Sequence, residues 1–389
     1  MKTILVPGGA GYIGSHTVRE LIQNGYEVVI FDSLENGHRK AVDPKAKLEV
    51  ANLNDIESIR NVFSKFQIDA VIDFAAYLAV GESMLEPEKY LQNNVFNFIN
   101  LLDVMKEFNC KYIIKSSTAA VYGNPIQDSD IPWKETFTED YVPHSSALLE
   151  GKWDNKTVSG ESFFQEILSA YTKLITNKNK HLLLSKEEFS KLRIPMSIYG
   201  LSKLLDEIIM NKYDVMCSIK SIALRYFNVC GAHPNGDLGD DKPNPSNLMT
   251  LVMLQAVGKI PEVKIFGRDY DTPDGTGVRD YIHPCDLASG HIKALQYLAK
   301  SNHSDIINLG TGQDVSVLDL IKAVESACQK KIITVNKPRR SGDPSISIAD
   351  ADKANSLLGW RAKNDINDMA RTAWKWHSNH PEGFDEHDI

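Results

Sequence analysis

Cysteine is scarce in this chain. The five in 389 residues, Cys110, Cys217, Cys230, Cys285 and Cys328, are scattered, odd in number and nowhere spaced C-x-x-C. That fits a reducing compartment and no metal site. Long apolar runs are missing too. None approaches the roughly 18 residues of a membrane span, and the opening stretch MKTILVPGG has too few apolar residues in a row for a signal-peptide core. A cytoplasmic protein with no membrane partner is expected. Positive charge is in deficit: 43 Lys and Arg against 51 Asp and Glu give a formal net charge of -8. The basic runs HRK (38–40) and NKPRR (336–340) are short and local, so no nucleic-acid partner is expected. Internal repeats and low-complexity tracts are absent as well.

What is present is an ordinary globular composition, 42% hydrophobic and 24% charged. The chain is long enough for one large α/β unit or two domains sharing a cleft. Short apolar strands alternate with helix-period segments. Residues 4–6 and 26–32 read as strands around a helix over 12–24. Residues 69–76 and 111–117 read as strands around a long helix over 89–108, and 305–310 reads as a further strand. Strand, helix, strand at this spacing predicts an α/β fold with a doubly wound parallel sheet. After Arg225 the character changes. Residues 231–247 and 266–284 are long, polar and turn-rich, as expected of loops that serve a ligand.

GGAGYIG, between the first strand and the first helix, spaces Gly8, Gly11 and Gly14 three apart. The first glycine permits a tight turn, the second lets backbone approach a pyrophosphate, and the third allows helix and sheet to pack closely. Alone the pattern is weak, because glycine turns are common. Here it follows a strand, opens a helix, and is answered by Asp32 at the end of the next strand. A carboxylate there accepts hydrogen bonds from an adenosine ribose and repels a 2′-phosphate, so NAD is favoured over NADP. Pro7 removes a backbone donor at the mouth of the loop. The expected division is a Rossmann-like domain over 1–225 and a smaller α/β ligand lobe over 226–389, some elements returning to the main domain.

IYGLSKLL places Tyr199 and Lys203 four apart, on one helix face. A free tyrosine, with a pKa of about 10, is a poor base at neutral pH. A neighbouring ammonium and an oxidised nicotinamide would both bring that value down. Thr118, in the hydroxyl-rich stretch SSTAAVYG, could hydrogen-bond a substrate hydroxyl and relay its proton. Y-x-x-x-K is frequent by chance, and it gains meaning here from the dinucleotide loop and the hydroxyl-rich strand end before it.

GGAGYIGSH, AVGES, NNV, VYG, Y-x-x-x-K, LRYFN, GAHPNGDLGDD, NLM, FGRDYDTPDGTGVRDYIH, NLGTG and PRRSGDP follow one another along the chain. In this order they resemble the UDP-glucose 4-epimerase family of the extended short-chain dehydrogenase/reductase superfamily. The likeness spans nearly the whole chain except about residues 141–194. The glycine loop and the Tyr/Lys pair mark only the superfamily, whereas the block from Phe266 to His283 is specific to the epimerases.

The resemblance implies an isomerase, a homodimer, that interconverts UDP-galactose and UDP-glucose with a tightly held NAD regenerated at each turnover. Tyr199 would take the sugar 4-hydroxyl proton, directly or through Thr118, while C4 gives a hydride to the nicotinamide. The 4-keto sugar would then turn over and receive the hydride on its other face. By position, the resemblance implies cofactor contacts at Gly8, Gly11, Tyr12, Ile13, Gly14, Asp32, Asn36, Asn52, Leu53, Phe74, Ala75, Ala76, Leu78, Asn94, Thr118, Tyr199, Lys203 and Phe227. It implies substrate contacts at Asn228, Asn247, Leu248, Phe266, Arg279, Arg340 and Asp343. Two arginines suit a pyrophosphate, and Phe266 offers apolar surface to a uracil.

The chain departs from the family in places. Leu78 stands where many members carry a lysine near the cofactor phosphates, and Thr118 where serine is common. Sister dehydratases and decarboxylases carry an acid just after that hydroxyl residue, whereas Ala119 and Ala120 stand here, so no elimination is expected. A non-catalytic NAD-binding protein would have no need of Tyr199, Lys203 and Thr118 together. Residues 141–194 look like an insertion. An apolar stripe over 162–175, with capping boxes at Ser162/Gln165 and Ser185/Glu188, predicts two short helices there. Surface decoration or a subunit contact is expected of them rather than a lid. Ser347, four beyond Asp343, stands where the family places a pocket residue near the sugar 2-substituent. Its small side chain predicts that UDP-N-acetylglucosamine is also admitted.

Overall fold

Runs of Ile, Leu and Val set the frame. The strands are β1 (Thr3–Pro7), β2 (Glu27–Asp32), β3 (Lys47–Val50), β4 (Ala70–Asp73), β5 (Tyr112–Thr118), β6 (Thr136–Phe137) and β7 (Lys220–Tyr226). They continue with β8 (Asn228–Val229), β9 (Val263–Phe266), β10 (Val278–Arg279), β11 (Tyr281–Ile282), β12 (Asp305–Leu309), β13 (Val315–Ser316), β14 (Thr334–Lys337) and β15 (Ile346–Ala349). The structure is a computed structural model that describes residues 1–123, 136–137, 195, 197–340 and 343–384. The helices expected at 162–175 and beyond Ser185 lie outside the described residues.

Seven strands form one parallel sheet in the order β12-β7-β5-β4-β1-β2-β3. Both faces are buried, as a parallel sheet requires. Ile4 and Val6 pack on one side with Val18 and Leu21 of the helix Tyr12–Gln23 and Leu295 of the helix Pro284–Ser301. Leu5, between them, points to the other side, among Ile59 and Val62 of the helix Ile56–Lys65 and Leu101 of the helix Asn97–Glu107. From β1 the chain winds outward to β3, then crosses back to β4 and winds the other way. Such a reversal opens a crevice beyond the C-terminal strand ends.

Two elements differ from expectation. The strand expected over 69–76 ends at Asp73, and the residues after it leave the sheet to wall the crevice. The helix expected over 89–108 starts at Pro87 and widens into a π-helical turn, Gln92–Phe96, before Asn97–Glu107. Tertiary bonds made inside that turn accompany it. Asn94 accepts from the Tyr77 amide (2.8 Å) and donates to the Tyr77 carbonyl (3.0 Å) and to Ser202 Oγ (3.0 Å). Side-chain demands of this kind are typical company for π turns near functional sites.

The smaller lobe has its own core, with Met249, Val252 and Met253 against Val263, Ile265, Leu320, Val324 and Met369. β15 lies beside β10, and β14 beside β9. Buried Asp280 stitches the lobe together, accepting from the amides of Thr311 (2.9 Å), Gly312 (2.9 Å) and Ala349 (3.2 Å). The helix Pro284–Ser301 and β12 return to the main sheet. Among the described residues no helix is long and apolar enough to cross a membrane, and no group of His, Cys, Asp or Glu is placed to hold a metal. All five cysteines are free.

Candidate active site

A cleft of about 410 Å³ lies at the reversal point. Seventeen of the expected cofactor contacts line it: Gly8, Gly11, Tyr12, Ile13, Gly14, Asp32, Asn36, Asn52, Leu53, Phe74, Ala75, Ala76, Leu78, Thr118, Tyr199, Lys203 and Phe227. Asn94 is not among the lining residues. It is fully buried behind the wall, where it pins Tyr77.

The three glycines do three different jobs. Gly8 has φ +72, and a Cβ on it would stand 2.7 Å from the Ala75 amide nitrogen. On Gly14 a Cβ would stand 2.1 Å from the Gly8 carbonyl oxygen. Both positions therefore exclude any side chain. Gly11 is open by contrast, with only the Gly8 oxygen near, at 3.4 Å, so the N-terminus of the helix Tyr12–Gln23 is bare toward the cleft. Asp32 accepts from the Ala10 amide (2.9 Å) and, through its other oxygen, from the Leu34 amide (2.9 Å). Each carboxylate oxygen keeps acceptor capacity for a ligand hydroxyl. Pro7 lacks an amide hydrogen, yet its carbonyl still accepts from the Phe74 amide (2.9 Å).

Tyr199 and Lys203 project from the first turns of the helix Ile198–Cys217. Ser197 caps that helix, accepting from the Gly200 amide at 3.0 Å. Gly200 presses the helix against the turn that follows β5, where a Cβ would stand 2.6 Å from the Ala120 carbonyl oxygen. This contact brings Tyr199 beside Thr118, and both side chains line the cleft. Lys203 is buried and donates to the Ser116 carbonyl (3.0 Å) and to Ser116 Oγ (3.3 Å).

The electrostatics of the pair differ from the sequence expectation. Burial pushes the Tyr199 phenol up to about 12; the neighbouring Thr118 hydroxyl pulls it down, and the Asp206 carboxylate pushes it up. Lys203 is moved down, by burial first and then by Lys115. The expected lowering of the phenol by its lysine is therefore not met by the chain alone. The ammonium is turned toward Ser116 and Asp206, and burial outweighs the rest.

Of the expected substrate contacts, Asn228 and Asn247 line the cleft. Leu248, Phe266, Arg279, Arg340, Asp343 and Ser347 are not lining residues of it. Leu248 opens a helix that Asn247 caps. The others gather in the lobe. Arg279 is ion-paired with Asp343 and sits in register with Ser347 across β10 and β15. The Arg340 guanidinium lies 3.9 Å from the centre of the Phe266 ring.

Sequence reasoning missed Lys242. It lines the cleft, lies 5.5 Å from the centre of the Tyr12 ring and pairs with Asp240 at 2.9 Å. Next to two aspartates, a lysine reads as an ordinary solvated pair, so no signal distinguished it. Among the described lining residues it shares the positive charge with Lys203, while Leu78 contributes none.

The NAD dependent epimerase/dehydratase family model matches residues 4–147 and 165–310. The chain is 42% identical over 388 residues to a UDP-glucose 4-epimerase of Streptococcus mutans, with 99% of each chain covered. It is similar to the crystal structure of a UDP-glucose 4-epimerase from Bifidobacterium longum in complex with NAD+ and UDP. There the TM-score is 0.78 at 37% identity, covering 98% of this chain and 100% of that one. It is also similar to the UDP-Glc/GlcNAc 4-epimerase of Campylobacter jejuni, with a TM-score of 0.72 at 31% identity, covering 97% and 100%. On the cleft, its glycine loop and these likenesses together, the chain belongs to the NAD dependent epimerase/dehydratase family.

Proposed function

We propose that this chain is a UDP-glucose 4-epimerase, interconverting UDP-galactose and UDP-glucose. The observation that carries the reading is that Thr118, Tyr199 and Lys203 line one cleft, the last two from the same helix, opposite a glycine wall that fits a dinucleotide. The fit to NAD rests on the open space at Gly11, the bare helix end behind it and the spare acceptor capacity of Asp32. NAD, when bound, supplies a reversible hydride acceptor for sugar C4. Everything else falls to the chain. Tyr199 Oη takes the 4-hydroxyl proton, directly or with Thr118 Oγ1 as relay, and returns it when C4 is reduced again. Lys203 keeps a positive charge beneath the site. Arg279 and Arg340 would meet the UDP phosphates, and Phe266 the uracil.

Proton NMR of UDP-galactose with the purified protein tests this directly. Appearance of UDP-glucose resonances is expected, and a spectrum unchanged over hours at micromolar protein would sink the reading. We extend the proposal to N-acetylated UDP-sugars, because Ser347 is small and half-buried in register with Arg279. The wild type should convert UDP-N-acetylglucosamine, and Ser347→Tyr should lose that conversion while keeping UDP-galactose. A dimeric, cytoplasmic enzyme completes the proposal; the free cysteines support the compartment, and light scattering at twice the 43.5 kDa chain mass would support the dimer.

A further inference from the structure

Beneath the Tyr199 helix lies a cluster of charges that the reaction just described does not use. Asp73 at the end of β4, Lys115 in β5, and Lys203 and Asp206 one helical turn apart all have side chains no more than 2% exposed. Lys115 Nζ donates to Asp73 Oδ2 at 2.5 Å and stands 3.6 Å from Asp206 Oδ2. Lys203 Nζ stands 4.0 Å from the same Asp206 oxygen. Neither carboxylate oxygen of Asp206 has a hydrogen-bond partner. The cluster balances two acids against two bases, and it rests on the Phe98 ring, whose centre is 4.1 Å from Lys115 Nζ.

We propose that Asp206 is a positioning residue for the epimerase reaction: together with Lys115 and Asp73 it holds the Lys203 ammonium in place and supplies the negative charge against which Tyr199 and Lys203 work. The inference rests on the function proposed above. Its geometric ground is that Asp206 is buried, unpartnered by hydrogen bonds and placed between two ammonium groups, one of them Lys203. A buried carboxylate without hydrogen bonds is costly, so its effect is electrostatic. Lys115 offsets that cost and limits how strongly the acids act on Lys203.

Other charged or titratable groups face the same helix. Glu207, on the helix itself, is bonded by Arg225 of β7 (2.9 and 2.6 Å) and by Ser117 of β5 (2.5 Å). Tyr226 of β7 lines the cleft with Ser116. Tyr122 sits under Arg225, its ring centre 4.7 Å from the guanidinium. On the outer side Tyr90 is bound to Glu82, which pairs with Lys89, and Asp103 accepts from Tyr213. Glu207, Glu82 and Asp103 thus each accept from a donor side chain, whereas Asp206 depends on the two lysines alone.

The sign of the effect follows. One negative charge beside both groups makes the Tyr199 phenol harder to ionise and the Lys203 ammonium harder to deprotonate. In Asp206→Asn, both limbs of the kcat–pH profile should therefore move to lower pH together, by roughly one unit. Asp206→Glu should keep both limbs in place. Asp73→Asn, which retains an oxygen for the Ala75 amide (2.9 Å in the wild type), should move them the same way by less. It carries the test where Asp206→Asn yields no folded protein. Limbs that stay put while kcat falls would reduce Asp206 to a structural role and overturn the proposal, as would limbs moving in opposite directions.

Thermal denaturation gives a readout independent of activity. Lys115→Met should lower Tm by about 5–10 °C, and adding Asp206→Asn should restore part of it; no restoration would overturn the charge balance. A wild type that failed to epimerise would sink the functional reading and leave this denaturation result standing.

Discussion

The cleft and the lobe surface where substrate contacts are expected are made of different materials. On the sheet side, backbone meets backbone: Gly8 lies against Ala75 and Gly14 against Gly8, at separations that admit no side chain. In the lobe, outside the lining of the cleft, the expected substrate contacts are long side chains, and they hold one another, Arg279 with Asp343 and Arg340 over Phe266. A backbone wall has few alternatives and is preorganised for its ligand. A wall of paired side chains must exchange partners when phosphates arrive, so part of its binding energy goes into breaking pairs already made. The difference predicts a tightly retained cofactor opposite an exchangeable substrate.

The largest effect is expected at Tyr199. Tyr199→Phe should lower kcat on the order of a thousandfold while the cofactor still copurifies. Near-normal turnover by NMR would dismiss Tyr199 as the base. Next comes the packed region joining the two parts. Burial holds His16 down to about 3, and His283, His291 and His377 to about 4. Each takes up a proton on unfolding once the pH is below its ordinary value. Their contribution is fully present above about pH 6.5 and drains as the pH falls. Stability should drop by roughly 3 to 4 kcal/mol between pH 6.5 and 5.5, as denaturant titrations at the two pH values would show.

The remaining predictions set wall against wall. Gly14→Ala should cost about 3 kcal/mol and strip the cofactor, because backbone rather than a movable side chain stands in the way. Arg279→Met should leave the cofactor bound and raise KM for the UDP-sugar about tenfold or more. Equal loss of cofactor in both variants would break the comparison. Lys242→Met should weaken NAD retention only a few-fold, since a partly exposed ammonium lining the cleft contributes about 1 kcal/mol at most. Equilibrium dialysis measures the difference.

The backbone wall was legible because its demands are local: three glycines at fixed spacing, an acid one strand later, a tyrosine and a lysine one turn apart. The charge cluster was not. Lys115 reads as an outward-facing residue of KYIIKSS, and Asp73 and Asp206 read as scattered acids. They meet only once β4 is known to lie beside β5 and the Tyr199 helix against β5. The π turn at Gln92–Phe96 was hidden for a related reason. The apolar rhythm runs through it unbroken, and Asn94 reveals its purpose only against Tyr77 and Ser202, far away in the chain. Arg279 and Ser347 were both singled out from the sequence, yet their shared register depends on a pairing of short strands that no periodicity announces.

The return of β12 to the main sheet bears on how the protein is made. β12 pairs with β7 over five residues, from Asp305 with Ile222 to Leu309 with Tyr226. On a ribosome, β7 is therefore synthesised with its outer edge open and waits for most of the lobe to emerge before that edge is covered. An uncovered strand edge is a template for pairing with another chain, and contacts so distant in sequence form slowly. Nascent chains halted between residues 230 and 300 should be the aggregation-prone species, and the lobe and the sheet should mature as one cooperative unit rather than in turn.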